Sequence, residues 1–198
     1  GYQPHIGKLL QEIPKRLLEI NGRPILDRQI ETLHDCGVSR VAVVRGYRKE
    51  KMQLPDVRFY DNDLYEKTGE LYSLWCARKE IEGRTLILYG DIAFDRSVIQ
   101  RLLESKADCS LLVDRSWRDE PAGSRAPEAA PDLVIEKSPP PAGRRFVPSK
   151  EAGDVIRIGA KIAPVEAHSE FIGIVRFSEH GAQVARAVLE ELAAKGWN

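Results

Sequence analysis

Neither sign of charge is in excess in this chain. Lysine plus arginine and aspartate plus glutamate both number 30 among 198 residues. No net field therefore draws the protein to nucleic acid or to an anionic membrane, and only a local basic pocket for a small phosphate ligand fits that balance. Cysteine is scarce. Cys36, Cys76 and Cys109 are odd in number and lack metal-ligand spacing. They read as free thiols of a reducing compartment, with Cys76 and Cys109 expected to be buried among apolar neighbours. His5, His34, His168 and His180 have no metal-like spacing either and are expected at the surface or in packing. No apolar run approaches the ~20 residues of a membrane span, and no signal-peptide pattern is present. The expectation is a cytoplasmic protein. There is no internal repeat, and the sequence begins at Gly1-Tyr2 without a methionine.

The remainder is ordinary for a globular chain, with 42% hydrophobic and 30% charged residues. Its length suits one domain over residues 1–198. Asn21-Gly22 marks a turn after a short extended piece, and Pro24 suits the first turn of a helix. Ile25, Leu26, Ile30 and Leu33 follow at helical spacing, with Gly37 as the stop. Strands are expected over 40–45, 57–60, 85–89 and 109–113, with helices over 71–78 and from Asp95, as its cap, to about Ser105. Alternating strands and helices imply a mainly parallel, three-layer α/β architecture. The pattern then changes. Residues 117–153 hold seven of the twelve prolines and read as a long Pro-rich flap around a short strand at 132–136. Strands over 154–162 and 171–177 follow. Ser178 caps a last helix with Val184, Ala185, Val188, Leu189 and Leu192 as its apolar stripe.

Two segments carry chemistry. Gly90-Asp91 follows the run Thr85-Leu86-Ile87-Leu88-Tyr89, so the carboxylate stands just past a strand's carboxyl end, where open α/β sheets bind ligands. Gly90 allows a tight turn or a close approach. A lone carboxylate there suits a divalent metal that bridges phosphates, although Asp is equally at home in a turn. In Pro14-Lys15, the lysine sits on a restricted backbone and can reach a phosphate as a point charge.

In order and spacing these segments resemble the nucleoside-triphosphate transferase family, which pairs a Pro-Lys before a Gly-Lys/Arg-Pro-Ile/Met-Leu helix start (here Gly22-Arg23-Pro24-Ile25-Leu26) with a Gly-Asp metal site. Gly46-Tyr47 matches a turn of the same group. Asn62…Tyr65…Thr68-Gly69-Glu70-Leu71…Ser73-Leu74, Gly90-Asp91-Ile92 and Glu170-Phe171-Ile172-Gly173-Ile174 are most similar to the phosphonate cytidylyltransferase domain that accompanies phosphoenolpyruvate phosphomutase. The resemblance implies a Rossmann-like αβα sandwich with a mainly parallel, mixed sheet. It also implies Mg²⁺-dependent transfer of CMP from CTP to a small phosphonate such as 2-aminoethylphosphonate, with release of pyrophosphate.

By that resemblance Lys15 and Asp91 are catalytic. Gly1, Lys15, Thr68, Ser73 and Gly90 bind nucleotide, Asp114 and Glu170 bind the acceptor, and Asp91 and Glu170 hold Mg²⁺. CTP and the acceptor are the expected partners, and a homodimer or a fusion to a phosphomutase domain stays open. Phosphocholine or sugar-1-phosphate transfer and a non-catalytic module are the alternatives. Gly1 corresponds to the last residue of the family's phosphate loop, and the strand before that loop does not precede it. A trimmed piece of a longer chain is the expectation.

Overall fold

The computed structural model describes residues 13–119, 130–139 and 152–197. Gly1, His5 and most of the expected flap lie outside the described residues. The chain forms two compact units, one of residues 1–110 and 175–198 and one of residues 111–174.

In the first unit, β1 (Glu19–Ile20) and β2 (Arg23–Pro24) form an antiparallel hairpin. Asn21 (φ 52°) and Gly22 (φ 73°) both take the left-handed region, as a two-residue type I′ turn requires. Pro24 ends β2 and stands outside the helix it precedes. Helix α1 (Ile25–Asp35) buries Ile25, Leu26, Gln29 and Leu33. β3 (Val41–Arg45) pairs in parallel with β4 (Val57–Asp61), Val43 opposite Phe59. Helix α2 (Glu70–Cys76) leads to β5 (Thr85–Leu88), which is half-buried throughout. Helix α3 (Arg96–Glu104) places Ile99 and Leu102 in the core and packs against α1. Asp95 occupies its N-cap position, but its side chain makes no capping hydrogen bond.

Helix α4 (Glu179–Lys195) completes the unit, and here Ser178 does cap, accepting from the Gly181 amide. Its buried side is Ala182 and Leu189, which meet Ile81, Leu74, Trp75, Phe177 and Trp197. Val184 and Val188 face outward, each 49% exposed. The expected stripe thus holds at Leu189, with Ala185 and Leu192 half-buried, but not at Val184 and Val188, because the alanines and valines of this helix leave the edge of its apolar face ambiguous.

The unit boundary falls within β6 (Cys109–Asp114) and β9 (Ser169–Phe177). In the second unit β7 (Leu133–Glu136) pairs antiparallel with β8 (Val155–Gly159) and with β9, Leu133 opposite Glu170. The short strand expected inside the Pro-rich stretch is thus a core strand, with Leu133 and Val134 almost inaccessible. Leu133, Ile162 and Ala167 pack with Trp117 and Ile135. β8 is exposed on both faces, since Val155, Ile156 and Ile158 all reach solvent. Cys109 is exposed and Cys76 half-buried, against the expectation that both are buried.

The start of α4 packs closely against the chain before β6. A Cβ at Gly181 would stand 2.0 Å from the Asp108 carbonyl oxygen. Gly181→Ala is expected to cost about 1–3 kcal/mol through overpacking, despite alanine's better helix propensity. Urea denaturation of the two proteins checks this; equal midpoints would refute it.

Candidate functional site

Lys15 rides on a 3₁₀ turn, Lys15–Leu17, that begins at a buried Pro14. The Leu17 amide donates to the Pro14 carbonyl at 2.9 Å and the Leu18 amide to that of Lys15 at 3.0 Å. The turn therefore directs Lys15 without needing a helix. Asp91 lies three residues beyond the end of β5. The Lys15 ammonium is 3.6 Å from its carboxylate, whose side chain is 47% exposed. The two residues singled out in separate parts of the sequence thus meet, and their pair stays open to solvent.

Arg16 was not singled out in the sequence, yet it organises this pair. Its guanidinium donates to the Val44 carbonyl at 2.8 Å. It also stands so close to Gly90 that a Cβ there would come within 2.9 Å of Cζ. Gly90 thus leaves room for this close approach, and the approaching group is a side chain of the protein, which a Cβ would displace. Burial lowers the pKa of Arg16, and the Asp91 charge opposes that shift; an arginine stays protonated regardless. Two cations and one carboxylate converge here, so net positive charge remains to meet an anion.

Thr68 and Ser73 also come together, around Asn62, which is 1% exposed. Asn62 Nδ2 donates to Thr68 Oγ1 at 3.1 Å and to Ser73 Oγ at 3.0 Å. Its Oδ1 accepts from the Leu64 amide at 2.9 Å. Thr68 in turn donates to the Leu64 carbonyl, so its hydroxyl is committed inside the loop. Ser73 accepts from Asn62 and keeps its own proton to donate. The Asn-x-x-Tyr signal was legible in the sequence, but its buried asparagine is the hub and the two hydroxyls are its partners.

Asp114 and Glu170 belong to the second unit. Asp114 Oδ1 accepts from the Ser116 amide at 2.7 Å and closes the turn after β6, the local role that Asp often takes. Glu170 sits on β9 opposite Leu133. The charged centre of this unit is instead Glu136, 3% exposed. Arg115 approaches both of its carboxylate oxygens, and Ser169 Oγ donates to it at 2.8 Å. The Glu136 amide donates to His168 Nδ1 at 3.0 Å, which gives that histidine its packing role. Burial alone would raise the Glu136 pKa, but the hydrogen bonds from Arg115 and Ser169 outweigh it and hold the group below the usual carboxylate range.

Two outcomes are expected. Asn62→Ala leaves the Leu64 amide without its partner and is expected to cost about 1–3 kcal/mol. A denaturation midpoint within error of wild type would refute that. Because the folded-state pKa of Glu136 is depressed, its stabilisation is present above the unfolded value and is lost as pH falls through the folded one. Glu136→Gln should therefore be less stable than wild type at pH 7, with the gap closing below about pH 4.5. Urea titrations at both ends of that range measure it, and a gap independent of pH would exclude the ionised carboxylate as the source.

Residues 7–193 match the MobA-like NTP transferase domain. The CTP:phosphoglutamine cytidylyltransferase of Campylobacter jejuni subsp. jejuni serotype O:2 is 30% identical over 128 residues, covering 59% of this chain and 51% of that protein. The choline-phosphate cytidylyltransferase of Streptococcus pneumoniae is 28% identical over 91 residues, 44% of this chain and 40% of that protein. The chain spans about half the length, or less, of these relatives. Among solved structures, the CTP:phosphocholine cytidylyltransferase from Streptococcus pneumoniae aligns with a TM-score of 0.58 at 16% identity, covering 96% of this chain and 72% of that one. That likeness shows the fold, the α/β nucleotidyltransferase fold with its Rossmann-like sandwich. With most of its length matched by one domain family and its fold shared, the chain belongs to the MobA-like NTP transferase domain family.

Proposed function

We propose that the chain carries the Mg²⁺-dependent transfer of CMP from CTP to a small phosphonate such as 2-aminoethylphosphonate, with release of pyrophosphate. The observation that carries this reading is the solvent-open pair of Lys15 and Asp91, 3.6 Å apart, backed by the Arg16 charge. The relatives named as cytidylyltransferases of phosphoglutamine and choline phosphate support CTP as donor and a compact acidic acceptor.

Among the described residues no group of three or more histidines, cysteines or carboxylates forms a protein cage for a metal. A single open carboxylate fits Mg²⁺ nonetheless, because that ion keeps several waters and takes one or two carboxylates together with substrate phosphates. Asp91 would hold it, and the ion would neutralise charge on the triphosphate. An acceptor oxygen attacks the α-phosphorus in line, the bond from that phosphorus to the bridging oxygen breaks, and pyrophosphate takes the electron pair. Lys15 stabilises negative charge growing on the α-phosphate oxygens. Ser73, whose proton stays available, donates to the nucleotide, while Thr68 acts through Asn62. Gly90 admits Arg16.

Phosphocholine is the second reading, favoured by the choline-phosphate relative. Pyrophosphate release with Mg²⁺ separates the two. CTP is offered against 2-aminoethylphosphonate, phosphocholine and glucose-1-phosphate, with UTP, ATP and GTP as competing donors. The expected result is turnover with CTP and the phosphonate, reduced at least about 100-fold in Asp91→Ala if the carboxylate anchors transition-state charge stabilisation. Turnover with phosphocholine alone would replace the acceptor, and activity untouched by Asp91→Ala would remove the proposed site.

A further inference from the structure

Gln29 occupies the centre of the buried stripe of α1, four residues from Ile25 and four from Leu33. An apolar residue is expected there, since an unpaired amide in a core is costly. Gln29 is only 7% exposed. Its carboxamide nitrogen donates to the Tyr89 carbonyl at 3.0 Å and to the Ile92 carbonyl at 2.7 Å. Those carbonyls flank Gly90-Asp91 on its two sides. Both lie beyond Leu88, the last residue of β5, so a side chain does for them what a neighbouring strand would otherwise do. Both amide protons are used, one on each end of the dipeptide. The Arg16 guanidinium meets the same dipeptide at Gly90.

We propose that Gln29 is a positioning residue for Asp91: by clamping the Tyr89 and Ile92 carbonyls from the core face of α1, it fixes the backbone from which the exposed carboxylate projects toward a divalent cation. The role rests on the reading of Asp91 as the metal-holding carboxylate given above. Asp91 needs such support because its side chain is half in solvent and its ion-pair partner Lys15 stands off at 3.6 Å. Gln29 makes no contact with substrate in this scheme and acts only through the loop. Groups that orient a metal ligand from behind typically change metal affinity by about 10–100-fold when removed.

The test is a Mn²⁺ titration in the presence of CTP, followed by water-proton relaxation, on wild type, Gln29→Met, Asp91→Ala and the double variant. Methionine matches glutamine in length, suits an apolar stripe and removes both donors. Gln29→Glu, which keeps the shape and replaces the donors with acceptors, serves if methionine repacks the core. Thermal melts are recorded for each. The expected result is a Mn²⁺ affinity about tenfold weaker in Gln29→Met, with no further loss when that change is added to Asp91→Ala. Wild-type Mn²⁺ affinity in Gln29→Met, with a loss in Asp91→Ala, overturns the positioning role and leaves the site reading intact. So does a lowered melting temperature with unchanged affinity, which marks Gln29 as purely structural. Equal affinity in wild type and Asp91→Ala overturns the reading of Asp91 itself, and the proposal with it.

Discussion

The chemistry of the first unit depends on how the chain leaves β5. A strand that ends early leaves carbonyls without ladder partners, and a loop left that way would not hold a carboxylate in one place. Here two side chains supply what is missing. Gln29 donates to the carbonyls of Tyr89 and Ile92. Arg16 fills the space beside Gly90 while donating to Val44 at the end of β3. The Pro-Lys turn, helix α1, strand β3 and the Gly-Asp loop are thereby joined through hydrogen bonds to backbone. The exposed Lys15–Asp91 pair adds little to stability by itself, since open ion pairs are worth at most about 1 kcal/mol. Its significance is chemical, and the buried bonds behind it keep it in place.

The same device recurs around Asn62 and Glu136. Each is nearly inaccessible, and each has its polar atoms engaged by neighbours from other segments. Such groups are expensive if left unpaired and locally rigid when satisfied. In the second unit, Arg115, Ser169 and the β7 backbone converge on Glu136, which keeps a charge inside a small core at neutral pH. In the first, Asn62 ties the loop after β4 to the first turn of α2, so that Ser73 is presented by a helix and braced by the loop before it.

Much of the architecture was legible because it rests on local periodicity. The apolar spacing of Ile25, Leu26 and Leu33 placed α1, and Asn21-Gly22 placed the hairpin turn. Ser178 placed the cap of α4. The family motifs brought Lys15 and Asp91 forward before any distance was known. Reading failed where a residue's environment is made by distant chain. Asp95 looks like Ser178 as a cap, yet only Ser178 makes the bond. Cys109 opens a strand that runs into the apolar Leu111 to Val113, and it is exposed in space. The stripe of α4 was misplaced at Val184 and Val188 because alanine and valine recur on more than one of its faces.

Composition and periodicity by themselves determined the α/β class and most element positions, while the resemblance of the motifs to a known family put Lys15, Gly90 and Asp91 forward for one candidate site. Those properties are written in nearest neighbours along the chain, through hydrophobic spacing and turn stereochemistry. Only the tertiary structure decided which polar residues are buried and what satisfies them. In sequence Arg16 looks like a solvated loop residue and Gln29 like a polar interruption of an apolar stripe. They become braces because folding brings them to backbone carbonyls 60 and 28 residues away, where the cost of an unpaired buried group leaves each one arrangement.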